Sequence, residues 1–415
     1  MIGCSWTRPV LPYMQVYFSI GTGGIMDIQK AVSAIQEEVI GLRRDLHRHP
    51  ELGFREYRTS KIISEYLAAL NLDEIHQCSG TGVIGILRGS RPGKTVMMRA
   101  DIDALPIQEE SGEPFSSETP GIAHACGHDG HTAMLLGEAK IWASHRDQIP
   151  GTLVFLFQPN EEDAGAQVMI DDGALELAGN PQAVFGCHLK SNSPIGTISM
   201  APGPMMASSY YFRIRIKGKG GHGGYPHLCI NPISAASHVI AAIDTFNSLE
   251  QSVFRPTVIS TGMIHAGEKE IVIPDFLEMQ GSVRCLHFDH EQVHARLREL
   301  VTKACDLCRC TCEIELKCGN SLLANDEKLF ELAKETAGEV VGADNVLTRD
   351  VAVMGGDDFA EFSMRIPGMY YFIGMADPEK GTDVPNHNTK FRLNEDALAT
   401  GMEMQMKLVT KYLNS

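Results

Sequence analysis

Apolar residues recur at helical spacing through MDIQKAVSAIQEEVIGLRRDLHRHPELG, at Val32, Ile35, Val39, Leu42 and Leu46. The spacing predicts a helix that stops before Pro50. Ser60 to Leu70 forms a second amphipathic pattern. GTGVIGILRG and KTVMMRADIDAL are short apolar runs bounded by glycine or charge, the form of buried strands. A helix over His131 to Ser144, a strand GTLVFLFQP, a helix around Ala164 to Ala178 and a strand AVFGCHL follow. This alternation predicts an α/β layer architecture with a largely parallel sheet.

The texture changes near residue 205. YYFRIRIKGKG alternates apolar and polar positions, the period of a half-exposed antiparallel strand. A helix in NPISAASHVIAAIDTFNSL, strands in PTVISTGMIH and FLEMQGSVRCL, a helix in HEQVHARLRELVTKAC and a strand in CEIELKC follow. Strand-helix-strand-strand-helix-strand is the ferredoxin-like order. After Gly319 the alternation of strand and helix resumes, ending in a C-terminal helix through NEDALATGMEMQMKLVTKYL. The expected organisation is an irregular extension over 1–25, with Met26 as a natural start, and an α/β domain in two parts, 26–204 and 320–415. Between them stands an inserted α+β domain, 205–319.

Composition narrows the function classes. Of 415 residues, 43% are hydrophobic and 21% charged, ordinary globular material. Acids outnumber bases 52 to 36, a formal charge of −16. That balance argues against nucleic-acid and anionic-membrane partners, which require a positive field. No uncharged apolar run is long enough to span a bilayer, and the segment before Met26 lacks the signal-peptide pattern. Eleven cysteines in a chain this long fit a reducing cytoplasm better than a secreted disulfide framework.

The densest chemistry is His124-Ala125-Cys126-Gly127-His128-Asp129-Gly130-His131. Thiolate, imidazole and carboxylate within eight residues are the ligand types of Zn²⁺ or a similar divalent ion. Asp101 and Asp103 leave the end of a predicted buried strand, where carboxylates point into a ligand crevice or hold a ligating imidazole in its tautomer. Glu161 and Glu162 follow the strand of FLFQPNEED. Adjacent carboxylates diverge, so one suits a metal while its neighbour suits the general base that takes a proton from water. His188 and His387 complete a set of five ligands with Cys126, His128 and Glu162, enough for two metals.

HRHPELGFRE, RADIDALPI, ACGHDGHTAMLLG, FQPNEED, KGKGGHGGYPH, and GGDDFAEF followed by PNHNTKF, in this order, resemble the M20 metallopeptidase family. Within it they are similar to the aminoacylase, hippurate hydrolase and auxin-conjugate amidohydrolase branch. The resemblance runs from about residue 35 to the C-terminus. It implies a zinc-peptidase-like α/β catalytic domain with an inserted ferredoxin-like lid that commonly dimerises. It implies two divalent metal ions (Zn, Mn, Co or Ni) on Cys126, His128, Glu162, His188 and His387, with Glu161 as general base. His222 of GGHGG matches a histidine that reaches a neighbouring subunit's active site and stabilises the transition state. The implied reaction is hydrolysis of N-acetyl or N-benzoyl amino acids by metal-activated water, in a cytoplasmic homodimer or higher homo-oligomer.

Three positions depart from the family pattern. Ile271 stands where an asparagine often meets the substrate carboxylate, which leaves Lys269 or Arg284 for that task. Asp357 replaces a usual glutamate, and Lys190 places a cation two residues after His188. The Ile271 departure allows an alternative, a dipeptidase or a hydrolase of another small amide. A non-catalytic metal-binding homologue is the third reading, opposed by the presence of all five ligands and Glu161. Asp129 is a further supporting acid. The run Cys305, Cys308, Cys310, Cys312 and Cys318 lacks a matching ligand pair and reads as packing, with Cys310 and Cys312 on one face of a strand.

Overall fold

The computed structural model describes residues 26–415; the irregular segment expected over 1–25 lies outside the described residues. Two compact units are present. The first takes the described chain through Pro202, with Asn325–Val351 and Arg365–Ser415, and the second comprises Gly203–Ala324 and Ala352–Met364.

In the first unit the helical stripe is used as its spacing predicts. Helix α1 (Ile28–Arg48) buries Val32, Ile35, Val39, Leu42 and Leu46, and the Asp27 side chain caps it by accepting from Lys30 N. Helix α2 (Tyr57–Ala69) buries Ile62, Ile63, Tyr66 and Leu67. Each fully buried Leu or Ile of this kind contributes about 1.5–3 kcal/mol. Strands β1 (Glu74–Cys78), β2 (Gly82–Arg88) and β3 (Arg91–Asp101), helix α3 (His128–Ser144), and strands β4 (Pro150–Gln158) and β5 (Ala183–Pro194) follow.

The sheet has eight strands, in the order β1-β2-β4-β3-β5, then Gly368–Ala376, Ile198–Ser199 and Val346–Leu347. β4, β3, β5 and Gly368–Ala376 pair in parallel. β1 and β2 do not fit a largely parallel sheet: β1 pairs β2, and β2 pairs β4, antiparallel. Only Ser79–Thr81 join β1 to β2, and so short a link cannot carry the chain back for a parallel pairing. The helix expected around Ala164 to Ala178 is two pieces, Gly165–Asp171 and Ala174–Leu177, divided where Gly173 takes φ 86°. That left-handed turn suits glycine and interrupts the helical ladder. Helix α3 begins at His128 rather than His131, and almost every side chain on it is buried, because it packs between α1, the helix Asp396–Asn414 and the sheet.

The second unit holds a four-stranded antiparallel sheet. In spatial order its strands are Thr257–Ala266, Phe276–Cys285, Ser208–Lys217 and Thr311–Cys318. With the helices Pro232–Thr245 and His290–Leu307 between strands, this is the ferredoxin-like arrangement. Helix Pro232–Thr245 buries Ala235, Ala236, Val239 and Ile243 in its own unit's core with Phe212, Ile214, Leu297 and Val301, so that face is spent on its own sheet. Cys305 and Cys310 lie in the same core, with Cys308 and Cys312 packed against it. Cys310 precedes the strand that carries Cys312, so the two do not share a strand face. Their role there is that of small apolar side chains.

Candidate metal centre

β3, β4 and β5 run parallel, so their carboxyl ends share one edge of the sheet, the edge at which open α/β sheets bind ligands. Asp101 ends β3, His128 opens α3, Glu161 and Glu162 form a short turn just after β4, and His188 lies in β5 beyond its last pairing with β3. His387 joins them from the loop after Gly368–Ala376, its amide donating to Ala125 O at 2.8 Å.

The donors interlock. Cys126, His128 and His188 place ligand atoms within 4.8 Å of one another, as do Cys126, Glu162 and His387, and His128, Glu161 and Glu162. Cys126 Sγ lies 3.4 Å from His188 Nε2, and His387 Nε2 lies 3.1 Å from Glu162 Oε1. His128 Nε2 stands 3.8 Å from Glu161 Oε2.

His128 and His188 are oriented from behind. His128 Nδ1 contacts Asp103 O at 3.0 Å and Asp103 Oδ1 at 3.1 Å. The other oxygen of Asp103 accepts from Glu162 N at 3.2 Å, so one carboxylate braces two donors. His188 Nδ1 donates to Leu189 O at 2.8 Å, which turns Nε2 toward Cys126. Backbone strain marks the same places: Asn160, Ala164 and His387 all have left-handed φ, at 54°, 63° and 65°. Such residues persist only where their surroundings hold them.

The electrostatics are those of a cluster seeking cations. Burial pushes the Cys126 thiol up, but the charges of His188 and His128 outweigh it and hold the thiol well below its ordinary range. Burial lowers His188, but Cys126 outweighs it and raises the imidazole to about 9. Hydrogen bonds to Cys126 and Glu162 lift His387 to about 10. Burial raises Glu162. Meanwhile the buried His128 Nε2 has no hydrogen-bond partner, a deficit of about 1–3 kcal/mol unless something accepts its lone pair. An orphaned imidazole nitrogen, a thiolate and a carboxylate within one small volume fit divalent first-row metals. Protons on these imidazoles are what a bound cation would displace.

Other residues take different places. His131, inside the cysteine-histidine motif, has both nitrogens committed: Nε2 accepts from Leu189 N at 3.0 Å, and Nδ1 donates to Asp101 Oδ1 at 2.6 Å. Asp101 is tied in turn to Arg99 at 2.7 Å. The pair supports β5 beside His188. Asp129 faces away from the donors, taking Arg43 Nε at 2.7 Å and His47 Nδ1 at 2.8 Å in a buried ion pair. His124 is buried and neither ring nitrogen has a partner; burial pushes it down to about 4. His222 and Arg284 belong to the second unit. There His222 Nδ1 accepts from Gly224 N at 2.9 Å, and Arg284 donates to Met354 O at 3.2 Å. Ile271 is exposed in that unit.

Asn386 went unnoticed in the sequence. It donates to Cys126 O at 3.1 Å and Cys126 Sγ at 3.6 Å, and accepts from Ser191 Oγ at 2.9 Å. Its only signal was adjacency to His387. For the Asp103 brace, Asp103→Ala is expected to weaken metal affinity about 10–100-fold. Metal titration against a competing chelator checks this, and wild-type affinity would remove the bracing role.

The model of peptidase family M20/M25/M40 matches residues 97–411. Thermostable carboxypeptidase 2 of Saccharolobus solfataricus is 37% identical over 398 residues, covering 93% of this chain and 98% of that protein. N-acetylcysteine deacetylase of Bacillus subtilis is 36% identical over 389 residues, covering 93% and 99%. The solved Bacillus subtilis YXEP protein, described as a dinuclear metal binding peptidase from M20 family, superposes with a TM-score of 0.80 at 34% identity, covering 92% of this chain and 99% of that one. The chain belongs to peptidase family M20/M25/M40 and is a metal-dependent hydrolase of amide bonds.

Proposed function

We propose that the protein is an amidohydrolase releasing free amino acids from N-acyl amino acids of the N-acetyl or N-benzoyl type. The observation that carries this reading is the Glu161–Glu162 turn: one carboxylate meets Cys126 and His387 while its neighbour stands beside His128 in the same cluster. Cys126, His128, Glu162, His188 and His387 are the proposed holders of two divalent ions, which when bound supply Lewis acidity to the amide carbonyl and acidify water. Glu161 takes the proton of the attacking water and returns it to the leaving amine nitrogen. Asp103 and Asp101 keep the imidazoles of His128 and His131 in register during this transfer. His222 donates to the developing oxyanion from a partner subunit, and Arg284 is the proposed contact for the substrate carboxylate.

Homodimerisation through the second unit completes this reading. Thr257–Ala266 is an edge strand bonded on one side, and it exposes Met263 and Ile264, a surface suited to pairing with a second copy. No described helix is long and apolar enough to cross a membrane. The ten cysteines from Cys78 onward are free thiols, which supports a cytoplasmic setting.

A second reading, removal of a residue from a small peptide, is favoured by the carboxypeptidase relative and by Ile271 in the lid. Release of free amino acid from N-acetyl-L-cysteine, N-benzoylglycine and a dipeptide panel separates the two. The expected result is acyl substrates hydrolysed at least tenfold faster than dipeptides, with all turnover lost to chelator. Preference for dipeptides would install the second reading. No turnover on any amide with metal loaded would leave a metal-binding homologue without catalysis.

A further inference from the structure

The segment Glu51–Glu56, between α1 and α2, offers no donor to the metal cluster, yet it is tied to both acidic loops. Toward the first loop, Leu52 forms an isolated parallel bridge with Ala104, and Ala104 N donates to Glu51 O at 2.8 Å. The residue after Asp103 is thereby fixed. Toward the second loop, the fully buried Glu56 accepts from Asn160 N at 3.0 Å through Oε1 and from Thr81 Oγ1 at 2.6 Å through Oε2. Gly53 lies flat against Asn160: a Cβ at position 53 would come within 1.8 Å of Asn160 Oδ1 and 2.9 Å of Asn160 Cβ.

Asn160 is the hinge of the turn that carries Glu161. It holds φ 54°, and Ala164 at the other end holds 63°. Its side chain donates to Asp163 O at 2.9 Å, and its carbonyl accepts from Gly165 N at 2.8 Å, closing the turn on itself. Ala164 is strained in the left-handed region, and Asn160 is held there by its local side-chain bond. A turn so strained relaxes unless neighbouring structure holds it, and the neighbour here is Glu56 with Gly53. Phe54, between them, is itself left-handed at φ 56°, so the segment is shaped to make both contacts.

We propose that Glu51–Glu56 is a positioning strap for Glu161, in which Glu56 and Gly53 clamp Asn160 and so set the direction of the base. The inference rests on the reading of Glu161 as general base. The strap acts on the chemical step and leaves substrate binding alone, because a base misplaced by a fraction of an ångström fails in the transition state.

The test compares Gly53→Ala, Gly53→Ala with Asn160→Gly, Glu56→Ala and Glu56→Gln in the metal-loaded enzyme, with N-acetyl-L-cysteine as substrate. Metal stoichiometry, thermal unfolding and hydrogen–deuterium exchange over residues 159–165 are measured alongside. Gly53→Ala and Glu56→Ala are expected to lower kcat about 10²-fold with KM nearly unchanged, metal content intact and exchange over the turn faster. Removing the Asn160 side chain makes room for the new methyl group and should recover at least about tenfold of that loss. Glu56→Gln keeps an acceptor for Asn160 N and should stay near wild type. Folded, metal-loaded Gly53→Ala and Glu56→Ala with wild-type kcat and wild-type exchange would overturn the strap. So would a loss that appears in KM, or one that the added Asn160→Gly change does not relieve. Exchange reads the strap whether or not N-acetyl-L-cysteine is turned over. If Glu161→Gln keeps its activity while exchange follows the pattern above, the base assignment fails and the mechanical clamp stands.

Discussion

Glu161→Gln is expected to bind its full complement of metal, unfold near the wild-type temperature, and turn over at least about 10²–10⁴-fold more slowly. The side chain is nearly isosteric, and Glu161 lies in only one of the four donor groups that include a proposed ligand, the one with His128 and Glu162. Cys126, His188 and His387 therefore lose no partner ligand when its charge is removed. What disappears is the ability to accept a proton from water and hand it to the amine, which the neutral amide cannot do. Steady-state rates, metal analysis and thermal unfolding on one preparation decide the matter. Turnover at the wild-type level would take the base role away from Glu161.

Cys126→Ala should have the other character, loss of metal before loss of chemistry. Cys126 is the residue common to the group with His128 and His188 and the group with Glu162 and His387, so its removal opens both at once. The imidazoles it holds up, His188 near 9 and His387 near 10, then lose a neighbouring negative charge and fall. The expected protein contains less than one metal per chain after dialysis and hydrolyses amides at background rate. Cys126→Ser keeps a polar atom but replaces a soft thiolate, and should recover little metal. Two metals retained by Cys126→Ala would show that the thiolate is not a ligand.

The parts of this molecule legible in the sequence were those carried by local periodicity and local chemistry. The α1 stripe from Val32 to Leu46, the buried runs of β3 and β4, and the strand-helix order of the second unit each follow from residues adjacent in the chain. The acids Glu161 and Glu162 stand out because an acidic pair follows shortly after a strand whose centre, Leu153–Phe157, is wholly apolar. The illegible parts depend on partners far along the chain. His131 stands in the same dense motif as Cys126 and His128, but its nitrogens are taken by Asp101 and by Leu189, 58 residues away. Asn386 reaches Cys126 across 260 residues. Asp129, inside the motif, turns out of it because Arg43 on α1 attracts it. The direction of β2 could not be read either, since no periodicity reports which neighbour a strand will find.

The double grip of Asp103 has a consequence for how the centre fills. One oxygen holds the imidazole of His128 and the other holds the backbone of Glu162, two donors that share a group with Glu161 and belong separately to the groups with His188 and with His387. A cation that settles either donor therefore stiffens the shared carboxylate, and through it the mate. If filling one position lowers the ordering cost of the other, the expected titration of the native protein passes from empty to fully charged in one steep rise. In the Asp103→Ala protein that linkage is cut, and a metal titration should resolve into two separate steps where the native one shows a single steep rise.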